Sequence, residues 1–309
     1  MIAKKKVAFL GGRPLSALKG GFLSVLFLIS LPALQGGAVW AARPRRVVSL
    51  SPNITESVFA LGAGGQLAGV SDFSNYPPEA RRLKNCGGWS NPNFEVISML
   101  HPDLILVLGK HQRVRDFGKE RGIDVQGVSM DSVATIFFGL RRLGELLGRE
   151  DEATSLTARI RGELDGLQAE LDRRPDRHRP TALISIGRNP GPLAEILTAT
   201  GGSFLDELLT LAGGKNIFGD ITQYYPQVSK ETLMTRQPEV ILELTGGVDL
   251  TPEQQRALIG DWQALPSIHA VKNGRISVLN EDYLAIPGPR LPQIVRTFRN
   301  ALYPAKDGK

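Results

Sequence analysis

The chain has 309 residues, 42% of them hydrophobic and 22% charged, with one cysteine and a formal net charge of +6. This ordinary globular composition excludes a disordered tail and a multi-span membrane protein. Residues 1–41 carry Lys4, Lys5, Lys6, Arg13 and Lys19 and no acid, leaving 32 basic against 31 acidic residues in the remainder, too even a balance for a nucleic-acid-binding body.

The basic start runs into an apolar stretch, Phe22 to Leu34, and then into small residues around Ala41 and Ala42. This pattern predicts a secretory signal peptide over 1–41, cleaved after Ala41 or Ala42, and hence export to the periplasm. The thirteen residues of the apolar stretch span roughly 20 Å, short of a ~30 Å hydrocarbon core. Cys86 is far from the cleavage junction, so no residue there can take a lipid anchor, and a single cysteine cannot form an internal disulfide.

Arg45–Leu50 reads as a buried strand, and Ser51-Pro52-Asn53 leads into a helix through Leu61. A second helix begins at Asn93-Phe94-Glu95 and must stop before Pro102, after which Asp103–Val107 is a strand. The same order recurs: Lys230–Leu233 begins a helix that stops at Gln237-Pro238, and Glu239–Leu242 follows as a strand. Glu95 and Glu231, Ile97 and Leu233, Pro102 and Pro238, and Ile105 and Ile241 are all 136 positions apart. At that spacing Val47-Val48-Ser49-Leu50 aligns with Leu183-Ile184-Ser185-Ile186. So long a period is not a solenoid. It predicts an α/β fold of two similar Rossmann-like lobes, 45–148 and 180–304. Between them, Leu156, Ile160, Leu164, Leu167 and Leu171 recur at helical spacing, predicting one long rigid helix over 149–175 and a ligand cleft between the lobes.

Enzymatic motifs are missing. There is no HExxH pair, Cys/His cluster, GxGxxG, GxSxG or complete phosphate loop, so neither a catalytic residue nor a metal site is predicted. More informative are aromatic residues in Gly/Pro-rich loops: Phe73, Tyr76, Trp89, Tyr224, Tyr225 and Tyr283. Such residues offer rigid faces to a flat or bulky ligand, with packing within the loops as the plainer alternative. His111 follows a strand at the edge where open α/β sheets bind ligands, and is either a ligand contact or a solvated loop residue. Arg290 either pairs with a ligand carboxylate or amide or caps the last helix. Glu95 and Glu231 occupy the first turns of matching helices, where a carboxylate complements the helix dipole. As repeat-related acids they also suit docking on a partner presenting basic residues on two related subunits.

From Arg46 to about Tyr303 the chain resembles the periplasmic substrate-binding proteins of cobalamin and iron-complex ABC importers. The matching strings are VVSLSPNITESVFALGAG (Val47–Gly64), GVSDFSNYPPEA (Gly69–Ala80), GGWSNPNFEVISMLHPDLIL (Gly87–Leu106), GGKNIFGD (Gly213–Asp220), YPQVSKETLMTRQPEVIL (Tyr225–Leu242) and PGPR (Pro287–Arg290). The resemblance implies a bilobal, non-enzymatic, monomeric receptor without a prosthetic group. Its transported ligand would be a corrinoid such as cobalamin, delivered to an inner-membrane permease dimer with its ATPase subunits. It further implies that Glu95 and Glu231 match the acids that engage permease arginines, and that Tyr76, Trp89 and Tyr225 match or neighbour aromatic cleft positions. Tyr225 stands where the cobalamin binders carry tryptophan, Gly109-Lys110-His111 replaces an aromatic contact, and the loop Glu281–Arg290 differs. Haem or a ferric siderophore is the alternative cargo, with His111, Tyr76 and Tyr225 as candidate axial ligands. An exported sensor or enzyme is the alternative from another class.

Overall fold

The structure is a computed structural model that describes residues 44–194 and 196–304. The expected signal peptide lies outside the described residues. In chain order the elements of the first half are β1 (Val47–Ser49), α1 (Pro52–Ala60), β2 (Leu67–Val70), β3 (Lys84–Asn85), α2 (Phe94–Met99), β4 (Leu104–Leu108), α3 (Gln112–Arg121) and β5 (Asp124–Val128). Two helices follow, α4 (Val133–Leu147) and α5 (Glu150–Asp172). The second half holds β6 (Thr181–Ile186), β7 (Ile196–Leu197), α6 (Phe204–Ala212), β8 (Lys215–Asn216), β9 (Gln227–Val228), α7 (Lys230–Arg236) and β10 (Val240–Leu244). It ends with α8 (Pro252–Asp261), α9 (His269–Lys272), β11 (Ile276–Leu279) and α10 (Leu291–Leu302).

The strands form two parallel sheets, ordered β3-β2-β1-β4-β5 and β11-β10-β6-β8, and a small antiparallel pair, β7-β9. The repeat is therefore real in three dimensions, because β2-β1-β4-β5 and β8-β6-β10-β11 run in the same order. Helices covering both faces explain why the strands are continuous apolar runs. Successive side chains point to opposite faces. Ile105, Val48 and Val107 accordingly enter a core beneath α2 and α3, and Leu183 and Ile241 enter one with residues of α7 and α9. Val47, Leu104, Leu106, Ala182, Ile184 and Leu242 all enter a third core shared by both halves.

This alternation corrects the alignment of the opening strands. Val48 pairs with Ile105 and Leu183 with Ile241, so the matching residues are 135 apart in these strands, while Ile105 and Ile241 keep the spacing of 136. A one-residue slip would put Val47 and Leu183, which face different cores, on the same side of their sheets.

In the expected stretch 149–175 lies α5, with Leu156, Ile160, Leu164, Leu167 and Leu171 buried. Helix α4 precedes it, opened by a capping box between Ser132 and Thr135 and ended by Gly148 at φ 65°, a left-handed conformation that glycine adopts without a Cβ clash. The chain then folds back, and α5 packs against α4 on one side and against α6 and α10 on the other. Gly144 makes that approach possible, since a Cβ there would lie 2.5 Å from the Ala153 Cβ.

Candidate functional site

Parallel strands deliver their carboxyl ends to one edge of each sheet, the edge at which open α/β sheets hold ligands. A hollow of about 350 Å³ lies between the two halves at that edge. Leu108 at the end of β4, with Met130 and Asp131 beyond β5, forms one wall; Ile186 at the end of β6, Leu197, Tyr225 and Pro287 form much of the other. The lining is predominantly apolar, as small-molecule sites are. Tyr225 is held at φ 51°, a strained conformation for a residue with a Cβ. Burial pushes its phenol well above the ordinary value, with the Asp131 carboxylate adding to the effect, so the ring meets the hollow as a neutral group.

Trp89 donates its indole N–H at 3.3 Å to the carbonyl of Leu108, one of the residues lining this hollow, and remains half exposed. Beside it lies His111, edge to face at a centroid distance of 5.0 Å. His111 is buried and caps α3: its Nδ1 accepts the Val114 N–H at 3.4 Å, and its Nε2 lies 2.6 Å from the Trp89 carbonyl. With Nδ1 accepting, Nε2 carries the proton and donates it. The imidazole is thus neither solvated nor equipped with a free lone pair; it secures the loop that presents Trp89.

The remaining predicted residues gather elsewhere. Tyr76, Tyr283 and Arg290 meet beside a second hollow of about 380 Å³, which Tyr76 and Arg290 line together with Glu56 on α1. The Arg290 guanidinium sits 4.0 Å from the Tyr76 ring centroid and 5.2 Å from that of Tyr283. Its Nε donates to Glu56 Oε2 at 2.9 Å, one terminal nitrogen donates to Glu56 Oε1, and the other donates to Asp282 Oδ1 at 2.7 Å. Arg290 occupies the residue before α10 but makes no side-chain capping bond there. Its charge is committed inside the protein, which is neither of the two roles expected from sequence. Tyr283 is similarly occupied, its hydroxyl 2.9 Å from Thr297 Oγ1. Between the hollows, Asn53 of α1 donates to the Pro287 carbonyl at 3.2 Å, so α1 is joined to the last loop twice.

Glu95 and Glu231 are exposed in the first turns of α2 and α7, capped by Asn93 and Ser229. Glu231 has its pKa lowered by its own backbone N–H and by Ser229. Each acid has an exposed methionine about one turn onward, Met99 and Met234.

Sequence reasoning passed over Glu56. Its signal was the one charged residue in the helical stretch from Ile54 to Leu61, where a charge survives burial only when paired. Cys86 is fully buried, and burial pushes its thiol up to about 11, which makes it unreactive at neutral pH. Among the described residues no group of three or more His, Cys, Asp or Glu is placed to hold a metal ion, and no helix is long and apolar enough to cross a membrane.

Comparison with known proteins adds independent evidence. A family model described as "Periplasmic binding protein" matches residues 47–283. The vitamin B12-binding protein of Photorhabdus laumondii is 31% identical over 252 residues, covering 81% of this chain and 85% of the relative. That of Yersinia pseudotuberculosis is 32% identical over 270 residues, covering 87% and 88%. Among solved structures, the periplasmic vitamin B12 binding protein of Vibrio cholerae superposes with a TM-score of 0.69 at 27% identity, over 86% of this chain and 99% of that one. A periplasmic heme binding protein from Pseudomonas aeruginosa gives 0.72 at 25% identity, over 85% and 94%.

Proposed function

Since this chain belongs to the periplasmic binding protein family, we propose that it is the periplasmic component of an ABC importer, capturing a corrinoid such as vitamin B12 and delivering it to an inner-membrane permease. The observation that carries the choice of cargo is the likeness to vitamin B12-binding proteins at 31–32% identity over most of both chains. The site is consistent with it. An apolar hollow between the halves, with neutral Tyr225 in one wall and the half-exposed Trp89 bonded to the lining residue Leu108, offers faces to a large ring system.

In this reading Tyr76, Trp89, Tyr225 and Tyr283 form or support the aromatic surface, His111 positions Trp89, and Arg290 positions Tyr76. Glu95 and Glu231 dock the loaded receptor on two related permease subunits. The signal peptide is removed near Ala41 or Ala42, and the mature protein acts as a monomer with lobes over 45–148 and 180–304. The Pseudomonas relative is a heme binding protein, but here both nitrogens of His111 are engaged, burial disfavours a Tyr225 phenolate, and Tyr76 lines the other hollow beneath Arg290.

The test is a calorimetric titration of the purified protein with cyanocobalamin, and with haem in parallel. Stoichiometric binding of cyanocobalamin alone, at micromolar affinity or tighter (about −8 kcal/mol), is the expected result. Binding of haem alone, or of neither, overturns the assignment of cargo.

A further inference from the structure

Glu56 is 4% exposed and Arg290 is 8% exposed, and they belong to opposite halves of the protein. Two long-range contacts, Asn53 with Pro287 and Glu56 with Arg290, cross at α1 and form a seam between the two hollows. The guanidinium at this seam is pinned in its plane by both Glu56 oxygens and by Asp282. A cation held over the Tyr76 ring, 4.0 Å from its centroid, limits where that ring can go. Asp282 lies in the same half as Arg290 and cannot tie the halves together; Glu56 can.

We infer that Glu56 is a positioning residue of the binding site: through its two-pronged contact with Arg290 it joins the halves at the seam between the two hollows and fixes Tyr76 in the orientation presented to ligand. Glu56 itself touches no ligand. Arg290 lies against Tyr76 and hands the constraint on. The other charged groups around the seam are Asp282, which shares Arg290, and Glu79 and Arg159, which line the same hollow. Burial of the carboxyl is compatible with this role because three donors of the guanidinium are already satisfied by its two acidic partners.

The ligand arm of the test rests on the corrinoid reading, so a second arm reads the seam without ligand. Glu56→Ala, Glu56→Gln, Arg290→Ala and the double alanine variant are compared with the wild type, folding being checked by far-ultraviolet circular dichroism. E56A and R290A each weaken cyanocobalamin binding tenfold or more. E56Q, which keeps one acceptor for the guanidinium, recovers most of that loss. The double variant is no weaker than R290A alone, because Glu56 acts only through Arg290. In the ligand-free protein, amide hydrogen exchange in α1 and in residues 282–291 speeds up at least tenfold in E56A and no further in the double variant.

Additive losses, or a folded E56A with unchanged affinity and exchange, overturn the inference. If the wild type does not bind cyanocobalamin, the cargo assignment fails and the exchange data alone decide the role of the seam. Should E56A not fold, Arg290→Lys takes its place, keeping the charge but losing the two-pronged contact. A folded R290K with wild-type affinity and exchange then overturns the inference.

Discussion

Raising the pH should weaken this fold through one carboxyl group. Burial lifts the Glu56 pKa from 4.5 to about 7, while Arg290 limits the rise and Asp282 adds to it. The folded protein therefore keeps the Glu56 proton over a pH window in which the unfolded chain has released it. Stability from this group is fully present below about 4.5 and is lost as pH rises through about 7. At about 1.4 kcal/mol per pH unit of difference between the states, the loss across the window is on the order of 3 kcal/mol. Glu207 is raised by burial and contributes in the same sense, whereas Glu231, Glu239 and Glu253 are lowered, so their contributions are lost only as pH falls below about 4.5, outside this window. The measurement is consequently a difference: urea unfolding of wild type and Glu56→Gln at intervals from pH 4.5 to 8. The amide does not titrate, so E56Q should gain about 3 kcal/mol on the wild type across that range. Parallel curves would refute the reasoning, for they would mean that pairing with Arg290 fully offsets the desolvation of Glu56.

Gly144→Ala should destabilise the protein by about 1–3 kcal/mol despite the better helix propensity of alanine, because the new methyl meets both the Ala153 Cβ and the Arg149 carbonyl; thermal unfolding tests it. Glu243 is fully buried in β10 and accepts from Ser185, Arg188 and Trp262, so Glu243→Ala leaves three donors unmatched and should cost about 3–5 kcal/mol by urea unfolding. Trp89→Ala should weaken cyanocobalamin binding by about three- to tenfold, corresponding to roughly 0.5–1.5 kcal/mol, as read by calorimetry, with the melting temperature nearly unchanged because the ring is half exposed. Glu95→Ala and Glu231→Ala should each reduce corrinoid uptake by cells while leaving the ligand affinity of the purified protein as it was; a fall in affinity would remove the docking role.

The repeat was legible because periodicity and proline placement act locally. Pro102 and Pro238 stop matching helices wherever the chain is later packed, and short continuous apolar runs mark buried strands before any partner strand is known. The stretch from Leu156 to Leu171 announced its helix in the same way. Register was less legible. Four residues of a strand align almost as well one position out, and only the pairing of Val48 with Ile105 and of Leu183 with Ile241 establishes which face meets which core.

At the site, the sequence alone determined which aromatic residues stand in loops and which acids are related by the repeat, since both follow from neighbours along the chain. Partnership across 234 positions was decided only by tertiary structure. Folding placed Glu56 against Arg290, turned both nitrogens of His111 inward, and separated Tyr76 from Tyr225 into different hollows. The physical reason is burial: a charge or imidazole removed from water must find its hydrogen bonds within reach, and what lies within reach is set by how the two halves pack.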